Sequence, residues 1–310
     1  MTTLKTTNAK RLVNGILLLD KPPGITSNRA LQQVKRMFAA RKAGHGGTLD
    51  EPAEGCLPIM FGSHTKLAEY MLDSSKVYEC DIELGSTRTT GDATGDLIEE
   101  KPVPPLDAAK LESCLSKFRG EIMQRPPAYS ALKYQGKRMH EYARAGIAVS
   151  RIARKVTISE LILLGMKDNH IMLRMTCSRG TYVRSLAEDI GEFFGCGAHV
   201  YTLRRTEMST LPVKYLVTLQ QIEATPEEER DSLLLPEMHI KVSNDKIYIN
   251  LEQAKELSQG KQVILPEGED VKLASIYIKD ETELDNSQLF GMGSLEDKTL
   301  RKEKHLMNVI

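Results

Sequence analysis

The stretch VYECDIELG, Val77–Gly85, alternates without a break: Tyr78, Cys80, Ile82 and Leu84 share one side, Glu79, Asp81 and Glu83 the other. Successive side chains of a strand point to opposite faces, so this is a half-buried antiparallel strand with Tyr78 heading its inner face. The segment Arg154–Gly180 reads as two further strands around a turn at Lys167–His170. TYVRSLAEDIGEFFG (Thr181–Gly195) then begins a helix. Upstream, Ile16–Leu19 is a short buried strand that ends in the Pro22-Pro23-Gly24 turn. Thr26 or Ser27 can cap a helix in which Leu31, Val34 and Phe38 repeat at helical spacing. Two more helices are expected, one over His64–Asp73 and one after Pro104-Pro105 with Asp107 as its N-cap. Ser86–Asp96 reads as a polar loop. Near Pro236 the pattern changes to short strands (Lys246–Asn250, Val271–Lys279) rich in acids. Strands and helices in separate runs make the fold class α+β.

The chain has 310 residues, 41% hydrophobic and 27% charged, enough for a core and for two domains. It contains no run of about 18 apolar residues, so no membrane span is expected, and its first residues lack an apolar signal core, which points to the cytoplasm. Five cysteines, with no C-x-x-C pair, argue against a disulfide framework or thiolate zinc site and predict buried free thiols. The zero net charge hides an asymmetry. Lys117–Lys155 carries ten basic residues against two acids, whereas Gln221–Ile310 carries eleven against nineteen. A local excess of eight positive charges is suited to a polyanion such as nucleic acid, or is simply a solvated face.

The segment AGHGGTLDEPAEG, Ala43–Gly55, holds four glycines around His45 and Asp50. Asp50 alone is a nucleophile, a cap or a turn residue. Tyr78 and Tyr182 alone are core aromatics, Arg184 a surface pairing partner, and Lys21 a turn residue. His45, Asp50, His64 and Asp73 lack the spacing of a compact metal site, no phosphate-cradling glycine motif is complete, and no Ser-His or Cys-His arrangement is announced.

Seven motifs in order resolve these alternatives: GILLLDKPPGITS, GHGGTLD, LPIMFG, VYECDIELG, the segment Arg119–Gly146, CSRGTYVRSLAEDIG and HVYTLRR. Together they closely resemble the tRNA pseudouridine synthase B family, densely from Gly15 to Arg205. The resemblance implies conversion of uridine 55 in the T arm of tRNA to pseudouridine. It implies a catalytic domain over residues 1–236 with a basic RNA-gripping insertion at about 120–155, and a small β-rich, PUA-like RNA-binding domain over 237–310. Carried over residue by residue, Asp50 is the nucleophile and His45 fills the space left by the departing base. Tyr78 stacks on the flipped base and is a candidate for proton transfer; Arg184 pairs with the aspartate and Tyr182 lines the pocket. Lys21, Pro22 and Leu203 are structural or pocket-lining. Arg125, Lys133, Arg138 and Arg144 belong to the T-arm grip. The family usually reads G-H-T-G-T-L-D-P, so Gly46 and Glu51 depart from it. No cofactor, no metal and no obligatory protein partner is implied, and a monomer is expected. A non-catalytic tRNA-folding protein and a guide-RNA-dependent synthase are the alternatives on the same scaffold.

Overall fold

The computed structural model describes residues 10–208, 211–240, 243–279 and 287–306. The first nine residues, residues 209–210 and three pieces of the acid-rich C-terminal region, 241–242, 280–286 and 307–310, lie outside that set. The chain divides into two compact units: residues 1–50, 56–72 and 209–310 form one, residues 51–55 and 73–208 the other.

The first unit begins with β1 (Gly15–Lys21), longer than the expected strand, and helix α1 (Ser27–Met37). Thr26 caps the helix through Oγ1, which accepts from the Arg29 N–H at 3.1 Å. Leu31, Val34 and Phe38 are buried as their spacing predicts. Two strands that no alternation announced follow, β2 (Ala43–His45) and β3 (Glu54–Phe61). Every residue of β3 after Glu54 is buried, so its sequence is a continuous apolar run. The His64–Asp73 segment is not one α-helix. It is a 3-10 turn over Gly62–Leu67 followed by α2 (Ala68–Asp73), with Leu67 and Met71 buried.

The second unit is built on β4 (Lys76–Leu84). Cys80, Ile82 and Leu84 are buried and Tyr78 is half-buried, the face the alternation assigned. The expected polar loop is partly structured: β5 (Ser86–Arg88) pairs with β6 (Leu97–Glu100), whose residues are all exposed and carry no face pattern to read. Helix α3 (Ala108–Ser116) is capped by Asp107, whose Oδ1 accepts from the Lys110 N–H at 2.7 Å. The basic stretch contributes β7 (Gly120–Gln124), a hairpin of β8 (Lys133–Tyr134) and β9 (Lys137–Arg138), and α4 (Met139–Arg144). Then come β10 (Arg154–Lys167), β11 (His170–Cys177), α5 (Val183–Phe194) and β12 (Ala198–Met208). Strand order here is β12-β4-β11-β10-β7. β4 is antiparallel to both neighbours, while the first two residues of β3 pair in parallel with β12. One core lies between this sheet and α3 and α5, joining Ile82, Leu173, Leu111, Leu186 and Ile190.

The chain then returns to the first unit. Strand β13 (Leu216–Val217) pairs in parallel with β1, and α6 (Leu219–Ala224) follows. Strand β14 (Lys246–Ile249), α7 (Leu251–Ser258), β15 (Val263–Ile264), β16 (Val271–Ile278), β17 (Gln288–Glu296) and β18 (Thr299–His305) complete it. These C-terminal strands form their own sheet, in the order β14-β16-β17-β18-β15, around a separate core that includes Ile276, Phe290 and Leu300. Architecture is therefore α+β, a mixed, mainly antiparallel sheet with helices plus a β-rich C-terminal sheet. All five cysteines are buried and none forms a disulfide. Burial pushes the Cys80 thiol up to about 12 and the Cys177 thiol to about 11, so neither is a thiolate at neutral pH. Among the described residues no helix is long and apolar enough to cross a membrane.

His64 adds a pH dependence. Its ring is buried, which lowers its pKa from 6.5 to about 4. Between those values the unfolded chain binds a proton at His64 that the folded chain excludes, so the contribution of His64 to stability is full above pH 6.5 and falls as the pH drops toward 4. Going from pH 7 to pH 5, His64→Gln is expected to lose less in its urea midpoint, or gain more, than wild type.

Candidate active site

In the first unit the candidate residues collect at the end of β1, the start of α1 and the segment after β2. Lys21 is fully buried. Its Nζ donates to the carbonyls of Pro22 at 2.9 Å and Ile25 at 2.8 Å, which ties the Pro-Pro-Gly turn to the end of the strand. His45 is the last residue of β2, in register with Ile59 of β3, and is half-buried. Asp50 is half-buried in non-repetitive backbone immediately after Leu49. Leu49 is held on both of its backbone polar groups by one side chain. Ser27 Oγ donates to the Leu49 carbonyl at 2.9 Å and accepts from the Leu49 N–H at 2.8 Å. Of the two residues that could cap α1, Thr26 caps and Ser27 is buried against the segment that carries Asp50.

That clamp predicts a measurable cost. Ser27→Ala leaves a buried N–H and C=O without these partners, a penalty of about 1–3 kcal/mol for each such group. Urea unfolding is expected to show a lower midpoint with an unchanged slope.

Gly46 is buried and its N–H donates to the Pro58 carbonyl at 2.9 Å. A Cβ at position 46 would stand 3.0 Å from the Met71 Cβ and 3.5 Å from the Met60 methyl. The side chains of Met60 and Met71 thus occupy the space beside the glycine.

In the second unit Tyr78 of β4 is in register with Met175 of β11 and Arg205 of β12, and Leu203 with Cys80. Tyr78 and Leu203 both pack partly buried against the core that includes Val183 and Leu186 of α5. Lys76, two residues before Tyr78 on the same side of β4, is buried, and burial together with the Arg205 cation lowers its pKa to about 8. Tyr182 is the residue before α5 and caps it without a side-chain hydrogen bond. Arg184 is buried, not a surface partner. Its Nη1 donates to the Thr90 carbonyl at 2.7 Å and its Nη2 to the Tyr129 carbonyl at 2.9 Å, which fixes the plane of the guanidinium.

Arg125, Lys133, Arg138 and Arg144 are all exposed. Lys133 and Arg138 sit opposite each other across the β8–β9 hairpin, whose turn residues Gln135 and Gly136 have φ of +46° and +85°. Tyr134 at this hairpin stands edge-on to Tyr142 of α4, with centroids 5.9 Å apart. Exposed cations interleaved with aromatic rings suit a phosphate backbone and its bases.

Two residues matter to this geometry through clamping roles that carried no sequence signal. Ser27 and Gln124 each clamp backbone far along the chain, 22 and 58 residues away, and no local spacing marks such a bond.

Comparison with known proteins agrees with the motifs. The model for the TruB family pseudouridylate synthase N-terminal domain matches residues 35–183, and that for the tRNA pseudouridylate synthase B C-terminal domain matches 184–239. A tRNA pseudouridine synthase B from Cupriavidus metallidurans (strain ATCC 43123 / DSM 2839 / NBRC 102507 / CH34) is 43% identical over 304 residues, 95% of each chain. The chain belongs to the TruB family of pseudouridylate synthases. It is an isomerase. A tRNA pseudouridine synthase B from Azoarcus sp. (strain BH72) is 47% identical over 258 residues, 83% of this chain and 86% of the relative. Among solved structures, a Cbf5-Nop10-Gar1 complex contains a chain with a TM-score of 0.72 at 24% identity, covering 95% of this synthase and 85% of that chain. At that identity the likeness establishes the pseudouridine synthase fold.

Proposed function

We propose that this synthase isomerises uridine 55 in the T arm of tRNA, with Asp50 as the covalent nucleophile acting on a base flipped out of its stack. The observation that carries the reading is the GHGGTLD segment in a TruB-family chain: it presents Asp50, a carboxylate group, directly beside a residue whose backbone is fixed on both sides by Ser27. A preorganised carboxylate suits covalent catalysis without a cofactor.

The reaction breaks the C1′–N1 bond, turns the base and joins C1′ to C5. The hydrogen on C5 leaves as a proton and N1 gains one, so no oxidant or energy source enters. The carboxylate bonds transiently to C6 of the ring or to C1′ of the sugar. Extruding a base from a folded stem costs a few kcal/mol. His45 offsets part of that cost by taking the vacated space, and Tyr78 by stacking, worth about 1–3 kcal/mol per base. Tyrosine titrates near 10 in its reference state, so stacking suits Tyr78 better than proton abstraction at neutral pH. Tyr182 and Leu203 line the pocket, Arg184 is its cation, and Lys21 and Pro22 shape the turn after β1. Arg125, Lys133, Arg138 and Arg144 take phosphates of the T arm, and the C-terminal sheet is a PUA-like RNA-binding module.

The test is tritium release from a tRNA transcript labelled at C5 of uridine, without added metal, nucleotide or partner protein. Release of about one equivalent per tRNA, abolished by a cytidine at position 55, is expected. Release that survives that substitution overturns the assignment of position 55, and no release from a transcript that binds tightly overturns stand-alone catalysis.

A further inference from the structure

We infer that Gln124 is a positioning residue, which locks the start of α5, and with it Tyr182 and Arg184, to the root of the basic segment. The inference rests on the proposed roles of Tyr182 and Arg184.

Gln124 ends β7 and is 2% exposed. Its Nε2 donates to the Tyr182 carbonyl at 3.0 Å and its Oε1 accepts from the Tyr182 N–H at 2.8 Å. A neutral amide is the side chain that offers one donor and one acceptor at this reach. Two further bonds join the same pieces of chain. Ser185 Oγ donates to the Arg125 carbonyl at 2.8 Å, and Arg184 donates to the Tyr129 carbonyl. Between them, Pro126 and Pro127 are buried and have fixed φ, so residues 124–129 are stiff. Every one of these bonds runs from residues 124–129 to residues 182–185. The exposed cations Arg125, Lys133, Arg138 and Arg144 lie on the chain that leaves this strap. RNA held by those cations therefore pulls on the turn of helix that carries Tyr182 and Arg184, instead of on a slack loop.

Gln124 touches no reacting atom in this scheme, so its removal changes geometry and leaves the phosphate contacts in place. Gln124→Leu is expected to lower the single-turnover rate at saturating tRNA by about 10–100-fold, the scale of a small misplacement of site groups. The dissociation constant for tRNA is expected to stay within about threefold of wild type, since the phosphate contacts set it. Gln124→Glu supplies a second arm. Its ionised carboxylate has no donor for the Tyr182 carbonyl, whereas its protonated form restores both bonds. Its rate per folded molecule, relative to wild type, is therefore expected to rise as the pH falls from 8 to 6, with the folded fraction read by circular dichroism at each pH because ionising a buried carboxylate also lowers stability. Should Gln124→Leu fail to fold, this pH comparison decides.

An unchanged saturating rate in Gln124→Leu, or a flat pH ratio in Gln124→Glu, overturns the inference. Arg184→Lys separates the two levels. If it keeps the wild-type rate, the role assigned to Arg184 falls; if it loses rate while Gln124→Leu does not, only the positioning role falls.

Discussion

Asp50→Asn is expected to abolish tritium release, by about 10⁴-fold or more, the scale on which enzymes lose rate when a covalent nucleophile is removed. Asparagine keeps the shape of aspartate and removes the negative charge and nucleophilicity. The Ser27–Leu49 clamp uses only the backbone of Leu49 and the hydroxyl of Ser27, so the substitution leaves it intact. The folded protein is therefore expected to form and to bind tRNA, and the loss of release to fall on the chemical step. Single-turnover release at saturating tRNA, with filter binding on the same preparation, measures both. Release within tenfold of wild type would remove Asp50 as nucleophile and point to another group.

Gly55→Ala is expected to be strongly destabilising. Gly55 has φ of +99°, which side-chain-bearing residues rarely adopt, and it pairs with Arg205 where β3 meets β12 in parallel. A Cβ there would lie 2.3 Å from the Arg205 carbonyl oxygen and 3.0 Å from its carbon. Those atoms are backbone of a strand whose Arg205 side chain is itself fully buried, so neither partner can move aside. Backbone strain and overpacking together give a loss of about 3–5 kcal/mol. Thermal unfolding is expected to shift down by about 10 °C or more. A shift of less than 2 °C would mean that the two strands separate easily at this point.

The four glycines around His45 and Asp50 show how far the sequence could be read. As a sequence they suggest a segment that lets a ligand come close. In the structure Gly55 serves a close approach of two strands, and Gly46 lies against Met60 and Met71. The residues these glycines accommodate are distant along the chain, so no local pattern could distinguish packing from ligand access.

What the sequence determined by itself was whatever depends on local order. Alternation in Val77–Gly85 fixed the inner face of the central strand, because side chains of a strand change sides at every residue. Helical spacing with a capping residue fixed α1, two prolines followed by Asp107 marked the start of α3, and the excess of cations from Lys117 to Lys155 marked an exposed basic segment. Motif order also named the family, since seven short stretches in sequence are far more specific than any one of them.

Tertiary structure decided the rest. Strands β3 and β12 were not legible, the first because burial on both faces erases alternation and the second because its face pattern is broken by register shifts against β4. It decided that Arg184 is buried and held by two carbonyls, that Ser27 clamps Leu49 beside Asp50, and that Gln124 fastens the start of α5. Each of these bonds joins residues 22 to 94 positions apart, and only the folded chain brings such partners within 3 Å.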